Sequence, residues 1–322
     1  MLAHILDLLR QDRGYVSGER MCTTLGVSRT AVWKHVRQLR ELGYDIDARR
    51  NRGYCLRHSP DTPHPLELGR HLETATFGRS CHYFTRVDST NRVAGRLAAD
   101  GEPEGTIVTA DCQTGGRGRQ QRSWHSPAGS NLYVSVILRP DAPPHRAPQL
   151  AVVTAVGVVR ALNHLFPRIP FAIKWPNDIL VGQRKIAGIL CDLDAEIDHL
   201  RHVVLGIGLN ANVDRFPAEI ASSATSLRRE FGHDVSRPLL LARILASLET
   251  AYHQWSRAGL TAFQDEWGRW SYLDGQRVVL INGSRRVRGT VRGLSASGGL
   301  TVHTEAGGIE TFHSGDTHLD SW

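Results

Sequence analysis

Residues Gln113 to Trp124 read Gln-Thr-Gly-Gly-Arg-Gly-Arg-Gln-Gln-Arg-Ser-Trp, with three glycines and three arginines in one short stretch. Glycine allows the backbone to adopt positive φ and to come close to a ligand. Arginine carries a planar cationic group that suits phosphate or carboxylate. The β-forming runs 106–110 and 131–138 flank the stretch, so we expect a loop that is held at both ends by a sheet. A solvated basic loop is the alternative interpretation.

Composition limits the possible functions of the 322-residue chain, which is long enough for roughly two or three domains. Its net charge of +7 favours an anionic partner, either nucleic acid or a phosphorylated ligand. The five cysteines form no Cys-x-x-Cys pair, so neither a disulfide framework nor a metal site is expected and a cytoplasmic location is favoured. No signal peptide is recognised, and the longest apolar run, residues 150–159, is too short to cross a membrane.

The first sixty residues predict a winged helix-turn-helix. Apolar spacing and N-cap residues place helices at 2–10, 18–25 and 29–42. The runs 44–48 and 53–56 then predict a hairpin with a basic tip, as a DNA-contacting wing requires. Eleven Lys and Arg residues against six Asp and Glu give this segment a charge of +5. A small helical protein-interaction domain with a solvated basic face is the alternative interpretation.

The third helix and the hairpin tip supply the candidate DNA contacts, because the second helix of a helix-turn-helix enters the major groove. The candidate DNA-binding residues are Ser28, Arg29, Thr30, Trp33, Lys34, Arg37, Arg49, Arg50 and Arg52.

A proline-rich linker, residues 59–65, leads to a central segment in which predicted strands and helices alternate. Residues 82–84 predict a strand, and the run Asp88-Ser89-Thr90-Asn91 opens a helix that continues to Ala99. The free backbone N–H groups of a helix start bind acceptors, which makes this run a candidate ligand site. A simple N-cap is the alternative. A long apolar helix is predicted at 149–165.

Two later motifs supply further candidates. Pro176 interrupts any strand pairing, which places Asn177 and Asp178 at a turn between two short strands. Lys185 begins an apolar strand, 186–190, so its ammonium could point to one end of the sheet. A surface lysine in a β-turn is the alternative.

The remainder of the chain predicts a strand at 203–209, amphipathic helices at 239–255 and 260–270, and then four short β-rich runs separated by glycines. These runs predict a small antiparallel barrel or sandwich. Nothing in this last segment looks catalytic, and its dispersed histidines, including His318, are expected to be solvated.

Several common catalytic signatures are missing from the sequence. It contains neither the P-loop nor the dinucleotide-binding glycine pattern, so ATP would have to bind through another architecture. Ser89 has no evident His and Asp partners that would make it a nucleophile.

Three stretches, in this order and spacing, resemble biotin protein ligases: Asp88 to Asn91, the loop containing Gly116-Arg117-Gly118-Arg119, and Lys174 to Asp178 followed by Arg184 to Leu190. With the winged helix in front, the chain resembles the bifunctional form of the family, which is both a biotin ligase and the repressor of the biotin operon.

The resemblance covers essentially the whole chain and implies an α+β fold with three domains. They are a winged helix-turn-helix DNA-binding domain at 1–60, a central mixed-sheet α/β ligase domain at 66–272, and a small SH3-like C-terminal β-barrel at 273–322.

The implied reaction uses ATP and Mg²⁺ to activate biotin as biotinyl-5′-AMP and then transfers the biotinyl group to a lysine of biotin carboxyl carrier protein. Both steps place negative charge on phosphate and carboxylate oxygens, so positioned cations and N–H donors matter more than an acid–base pair. The implied catalytic residues are Lys185 and Arg119. The implied biotin-binding residues are Ser89, Thr90, Asn91, Gln113, Arg117, Gly118, Arg119 and Lys185. The implied nucleotide-binding residues are Arg119, Trp124, Asn177 and Asp178.

The family also implies that the adenylate-bound form dimerises and binds operator DNA with biotinyl-5′-AMP as corepressor. Gln120 and Gln121 depart from the family pattern, which often has another glycine after the arginines. Three alternatives stay open: a ligase whose winged helix does not repress, a ligand-sensing transcription factor on an inactive ligase scaffold, and a lipoate or octanoate ligase. Lys185 and Arg119 argue against the second, and the winged helix and the run Gly116 to Arg119 argue against the third.

Overall fold

A computed structural model describes residues 1–12, 14–196 and 199–320, and the contacts divide the chain into two compact units, Met1–Thr62 and Pro63–Trp322. The first unit contains α1 (Leu2–Gln11), α2 (Gly18–Leu25), α3 (Arg29–Glu41), β1 (Asp45–Arg49) and β2 (Gly53–His58), with β1 and β2 paired as an antiparallel hairpin.

The first unit confirms the predicted winged helix-turn-helix, and local chemistry explains its helix ends. The Ser17 and Ser28 hydroxyls accept hydrogen bonds from backbone N–H groups in the first turns of α2 and α3. Gly26 ends α2 in the left-handed conformation. The hairpin is held close to the segment before α2, since a Cβ on Gly53 would lie 2.0 Å from the Val16 carbonyl oxygen.

The second unit is built on a seven-stranded mixed sheet with the order β3-β4-β5-β9-β8-β7-β6, in which only β3 and β4 are parallel. Its strands are β3 (Cys81–Phe84), β4 (Ile107–Ala110), β5 (Leu132–Leu138), β6 (Phe171–Lys174), β7 (Asp178–Val181), β8 (Arg184–Ala195) and β9 (Leu200–Leu209). Its helices are α4 (Pro65–Leu68), α5 (Thr90–Ala99), α6 (Gln149–Leu165), α7 (Leu227–Phe231), α8 (Arg237–Ala258) and α9 (Gln264–Trp270).

The two faces of this sheet carry different residues, because successive side chains along a strand point to opposite faces, and they pack against different helices. One face, which includes Val134 and Ile207, is buried in the main hydrophobic core together with the apolar residues of α6 and α8. On the other face, Ile137 and Val204 pack with Val108 against α5. The helix covers only part of this second face, and the uncovered part becomes the floor of a cavity.

A second sheet follows, antiparallel throughout, with the order β13-β12-β11-β10-β14. Its strands are β10 (Arg277–Asn282), β11 (Arg285–Leu294), β12 (Leu300–Thr304), β13 (Ile309–Phe312) and β14 (Asp316–Leu319). The sequence predicted the first four strands and not β14. Val278 and Leu280 belong to the same hydrophobic core as α6 and α8, so this sheet and the mixed sheet share one unit.

The prediction of one continuous helix at 260–270 was wrong. A 3₁₀ helix spans Leu260–Phe263, and α9 begins only at Gln264. Phe263 has a φ of −112°, outside the α-helical range, so it separates the two. No helix among the described residues is long and apolar enough to cross a membrane.

Glu249 on α8 anchors the segment that leads into β3. Its carboxylate accepts backbone N–H hydrogen bonds from Ala75, Thr76 and Phe77 at 2.6–2.9 Å. Burial raises the pKa of this carboxyl, but the three donors outweigh burial, so the pKa lies below its usual value. The carboxylate therefore stabilises the fold above the unfolded-state pKa, and this contribution is lost as the pH falls through the lower folded-state pKa.

Glu249→Gln is expected to lower the free energy of unfolding by about 1–3 kcal/mol at neutral pH, because an amide cannot satisfy all three donors. Urea unfolding of wild type and variant at neutral and acidic pH measures this, and the difference should shrink on acidification. Glu73→Gln, which removes a carboxylate paired with Arg243 on the surface, is the control. A difference that is independent of pH would contradict the assignment.

Candidate active site

A cavity of about 210 Å³ opens on the uncovered face of the mixed sheet. The start of α5, the Gln113–Trp124 loop, the β6–β7 turn and β14 surround it. The sequence-predicted ligase residues that line it are Ser89, Thr90, Asn91, Gln113, Arg117, Gly118, Arg119, Trp124, Asn177, Asp178 and Lys185.

The floor of the cavity is backbone, because glycines occupy the strand positions beneath it. Gly208 of β9 lies in register with Gly188 of β8, and Gly206 is the next residue on the same face. A Cβ on Gly206 would lie 2.2 Å from Asn91 Oδ1, and one on Gly208 would lie 2.6 Å from the Trp124 ring. The absence of these side chains allows the α5 start and the indole to reach the sheet.

A network of polar side chains fills the back of the cavity. The Gln113 Oε1 atom accepts hydrogen bonds from the backbone N–H and the hydroxyl of Thr90 at 2.9 and 3.1 Å. Its Nε2 donates to the Ser126 hydroxyl at 3.2 Å. Ser135, fully buried on β5, donates to Asn91 Oδ1 at 2.5 Å. These contacts fix amide and hydroxyl groups in place, as recognition of a polar ligand head requires.

Asp192 on β8 joins this network to the loop. Its Oδ2 accepts from Asn91 Nδ2 and from the Arg117 guanidinium, each at 3.0 Å. One carboxylate thus holds the start of α5 and the first arginine of the loop. The Arg117 Nε is buried and has no hydrogen-bond partner among the described residues.

Several cations converge on the mouth of the cavity. Burial lowers the pKa of Arg119, although Asp316 and Asp178 act in the opposite direction. Burial likewise lowers the pKa of Lys174, and the charge of Lys185 adds to the effect while Asp178 opposes it. Removing a cation from water disfavours its charged form, so an anion that arrives between these groups is favoured.

The positions of the lysines also indicate an anion-binding cavity. The chain contains three lysines, and two of them, Lys174 and Lys185, line this cavity. The Lys185 ammonium lies 2.6 Å from Asp178 Oδ1 and 5.2 Å from the centre of the Trp124 ring. Lysine is a compact point charge, unlike the planar guanidinium that carries most of this protein's positive charge.

A second, larger cavity of about 520 Å³ adjoins the first. The residues that line both are Arg122, Ser123, Trp124, Lys174, Asp178, Lys185 and His318. Aromatic and apolar side chains, including Phe216 and Tyr272, add to its wall. The site therefore has two compartments, with Trp124 and Lys185 at their boundary.

Several residues of this site were not predicted from the sequence. Gly206 and Gly208 form its floor, Ser135 supports Asn91 from behind, and Asp192 connects its parts. The residues Asp316, Thr317 and His318 of β14 also line it, so the C-terminal segment is not separate from the site and His318 is a wall residue. Glycines at alternate positions of the predicted strand 203–209 were the available signal, since strand glycines mark close approach.

The first unit presents the candidate DNA-binding residues on its surface. Thr30, Lys34 and Arg37 of α3 are exposed, and the Trp33 ring is half exposed with the Arg37 guanidinium 5.0 Å from its centre. At the hairpin, Arg49, Arg50 and Arg52 are also exposed. The α3 surface and the hairpin tip together form a basic surface.

Three protein-family models match successive segments of the chain. The model of the biotin/lipoate A/B protein ligase family matches residues 83–210, that of the HTH domain matches 2–55, and that of the biotin protein ligase C terminal domain matches 275–317. The chain is 38% identical over 309 residues to the bifunctional ligase/repressor BirA of Bacillus spizizenii, which covers 95% of this chain and 94% of that protein.

More distantly related proteins are also similar to this chain. The BirA protein of Escherichia coli K12 is 30% identical over 308 residues, covering 95% of this chain and 93% of that protein. The structure of biotin protein ligase from Aquifex aeolicus in complex with biotin and ATP is similar with a TM-score of 0.66 and 31% identity, covering 75% of this chain and 99% of that chain.

Asp192→Asn is expected to release the loop, because the variant loses the charge that holds Arg117. This ion pair is partly exposed and contributes about 0.5–1 kcal/mol, so trypsin cleavage after Arg117, Arg119 or Arg122 should accelerate about two- to fivefold. Asp194→Asn, on the same strand and 3.8 Å from His202, is the matched control. Equal cleavage rates in both variants would show that Asp192 does not restrain the loop.

Proposed function

The chain belongs to the biotin protein ligase family, and from that premise we propose that it activates biotin with ATP and transfers the biotinyl group to a lysine of biotin carboxyl carrier protein. We also propose that its first unit represses biotin biosynthesis by binding operator DNA with biotinyl-5′-AMP as corepressor. The observation that supports the ligase activity best is the cavity itself, in which fixed polar groups at the back lead to partly desolvated cations at the mouth.

The back of the cavity suits the polar ureido head of biotin. The ureido group has two N–H donors and one carbonyl acceptor, and each needs a partner when buried. Thr90, Gln113 and Asn91 offer amide and hydroxyl groups that the network already holds in fixed orientations. The bare backbone at Gly206 lets Asn91 come close to the sheet. We propose that these residues, with Ser89 and Arg117, hold the biotin head.

The boundary between the compartments suits the first reaction step. There an oxygen of the biotin carboxylate forms a bond to the α-phosphorus of ATP, and the bond from that phosphorus to the bridging oxygen of pyrophosphate breaks. In the transition state of this step, negative charge is spread over the phosphoryl oxygens. We propose that Lys185 and Arg119 stabilise this charge, since both line the cavity and Arg119 has no ion-pair partner among the described residues.

The second step forms the amide product. The neutral amine of the acceptor lysine attacks the acyl carbon of the mixed anhydride, AMP leaves with the electron pair of the broken C–O bond, and the amine loses a proton. Water would compete for the same carbon, so the loop has a protective role. We propose that Arg117, Gly118 and Arg119 cover the adenylate from one side.

The larger compartment suits the nucleotide. We propose that Trp124 covers the adenine and that Asn177 and Asp178 line the nucleotide side. The Asn177 amide already donates to the Ile189 carbonyl at 2.8 Å, which indicates that it positions the turn. Mg²⁺ prefers phosphate oxygens with one or two carboxylates, and Asp178 lies on the wall of both compartments. The ion would neutralise phosphate charge there.

Incubation of the full chain with ATP, Mg²⁺, biotin and a biotin carboxyl carrier domain tests the ligase activity directly. The mass of the carrier should rise by one biotinyl group. A carrier that stays unmodified, with no biotin-dependent release of pyrophosphate, would leave the ligand-sensing regulator as the better interpretation. Competition with lipoate and octanoate would show whether the chain is a lipoate or octanoate ligase instead.

Lys185→Ala is expected to slow biotin-dependent pyrophosphate release by about 10²–10³-fold, because it removes a cation from the site of developing charge. Lys34→Ala is the matched control, since Lys34 lies on the exposed surface of α3 in the first unit. Normal adenylation by Lys185→Ala would remove Lys185 from the mechanism.

The exposed basic surface of α3 and the hairpin supports the repressor activity. Operators with two half-sites are bound by two helix-turn-helix modules, so the family's adenylate-bound homodimer is the form that we propose to bind. We also propose that the protein works in the cytoplasm, where its five cysteines, all free, would stay reduced.

Lys34→Ala is expected to weaken operator binding about five- to tenfold, the loss of one groove contact, while it leaves adenylation intact. A gel shift on the biotin operon promoter, with and without biotin and ATP, measures this. Wild type should shift the DNA and should do so more strongly with both ligands. No shift by wild type at moderate salt would favour a ligase whose winged helix does not repress.

A further inference from the structure

The outer face of the second sheet carries positive charge that the proposed function does not use. The hairpin of β10 and β11, residues 277–294, contains five arginines and no acidic residue. Two of these arginines have their charge balanced by an ion pair: Arg277 pairs with Glu305, and Arg285 pairs with Glu310. Arg286 and Arg288 are exposed, and their side chains have no ion-pair partner among the described residues.

Strand register places these arginines on the same face as the cavity wall. His318 of β14 pairs with Val279 of β10, which pairs in turn with Arg288 of β11. Directly opposed residues in antiparallel strands point to the same side of a sheet. His318 lines both compartments of the active site, so its row runs from the cavity to Arg288.

A second row repeats this arrangement. Asp316, which also lines the cavity and pairs with Arg122 of the loop, lies in register with Ile281 and then with Arg286. Ile281 is 39% exposed, an apolar side chain between the cavity and the arginine. Each row spans two strand spacings, so the arginines lie about 10 Å from the cavity wall across the sheet. We call Ile281, Arg286 and Arg288 the arginine face.

We propose that the arginine face docks an acidic surface of the acceptor protein during biotin transfer. This inference rests on the proposed ligase activity. The acceptor must bring a lysine into the cavity, so its surface around that lysine must lie against the cavity rim, of which the arginine face is a continuation. An arginine pair beside an exposed apolar residue is the composition that protein interfaces favour.

Electrostatics favours such a contact. The acceptor lysine arrives as a cation at a cavity mouth that already contains Arg119, Lys174 and Lys185, and like charges repel. Acidic residues on the acceptor, held at Arg286 and Arg288, would offset this repulsion and raise the rate of encounter. Nucleic acid would also be attracted by arginines, but it has no reason to lie beside the cavity that receives the acceptor lysine.

The test compares two half-reactions in the full chain. Arg286→Glu combined with Arg288→Glu should raise the KM for the carrier protein about tenfold and leave kcat nearly unchanged, because a surface charge acts mainly on encounter. Biotin-dependent exchange of pyrophosphate into ATP, which needs no acceptor, should stay at the wild-type rate. High salt should bring the wild-type KM close to that of the variant.

Two further variants make the result specific. Arg286→Lys combined with Arg288→Lys keeps both charges and should keep the carrier KM within about threefold of wild type. Arg168→Glu combined with Arg257→Glu reverses two exposed arginines outside the hairpin and should change neither half-reaction.

The outcomes separate the two proposals. An unchanged carrier KM in the double Glu variant, with wild type active, would overturn the docking surface alone. A loss of pyrophosphate exchange would also overturn it, because the arginines would then act on adenylation or on the fold. Weaker operator binding with an unchanged carrier KM would assign the face to nucleic acid. A wild type without pyrophosphate exchange would overturn the ligase activity itself.

Discussion

The bare backbone beneath the cavity determines what the rest of the second unit can do. Gly188, Gly206 and Gly208 leave part of one face of β8 and β9 without side chains, and Asn91 and Trp124 occupy the space that a Cβ on Gly206 or Gly208 would need. The start of α5 can therefore bring its polar groups to the sheet, and the loop can place an indole beside Lys185. A larger residue at any of these positions would push Asn91 or Trp124 away from the sheet. The site would then lose its geometry even though every catalytic side chain was still present.

Three aspartates each form an ion pair with one cation of the site. Asp192 holds Arg117, Asp178 holds Lys185, and Asp316 holds Arg122. Arg119 lies among them without such a partner in the described part of the chain, and burial already disfavours its charge. The site is thus prepared for an anion, because an acyl-phosphate under Arg119 would supply the missing negative charge without displacing an existing ion pair.

Local signals in the sequence predicted more of this protein than did long-range ones. The helix Gln149–Leu165 and the capped helix Gly18–Leu25 were predicted with their observed bounds, because N-caps and apolar periodicity are local. The strand β14 was missed, since Asp-Thr-His-Leu has no periodic pattern and becomes a strand only by pairing with β10. The role of Asp192 was equally hidden, because its partner Asn91 lies 101 residues away along the chain.

The glutamines after Arg119 give this loop a conformational cost of its own. Gln120 and Gln121 have φ values of +54° and +60°, in the left-handed region that glycine adopts freely and that costs another residue about 1–2 kcal/mol. The Arg122 guanidinium offsets part of this cost by binding Gln120 Oε1 and Asp316 of β14. An anion that binds the ordered loop would offset more of this cost and shift the loop towards that conformation. The same contact to Asp316 ties the loop to the second sheet, beside the surface where the acceptor is proposed to arrive.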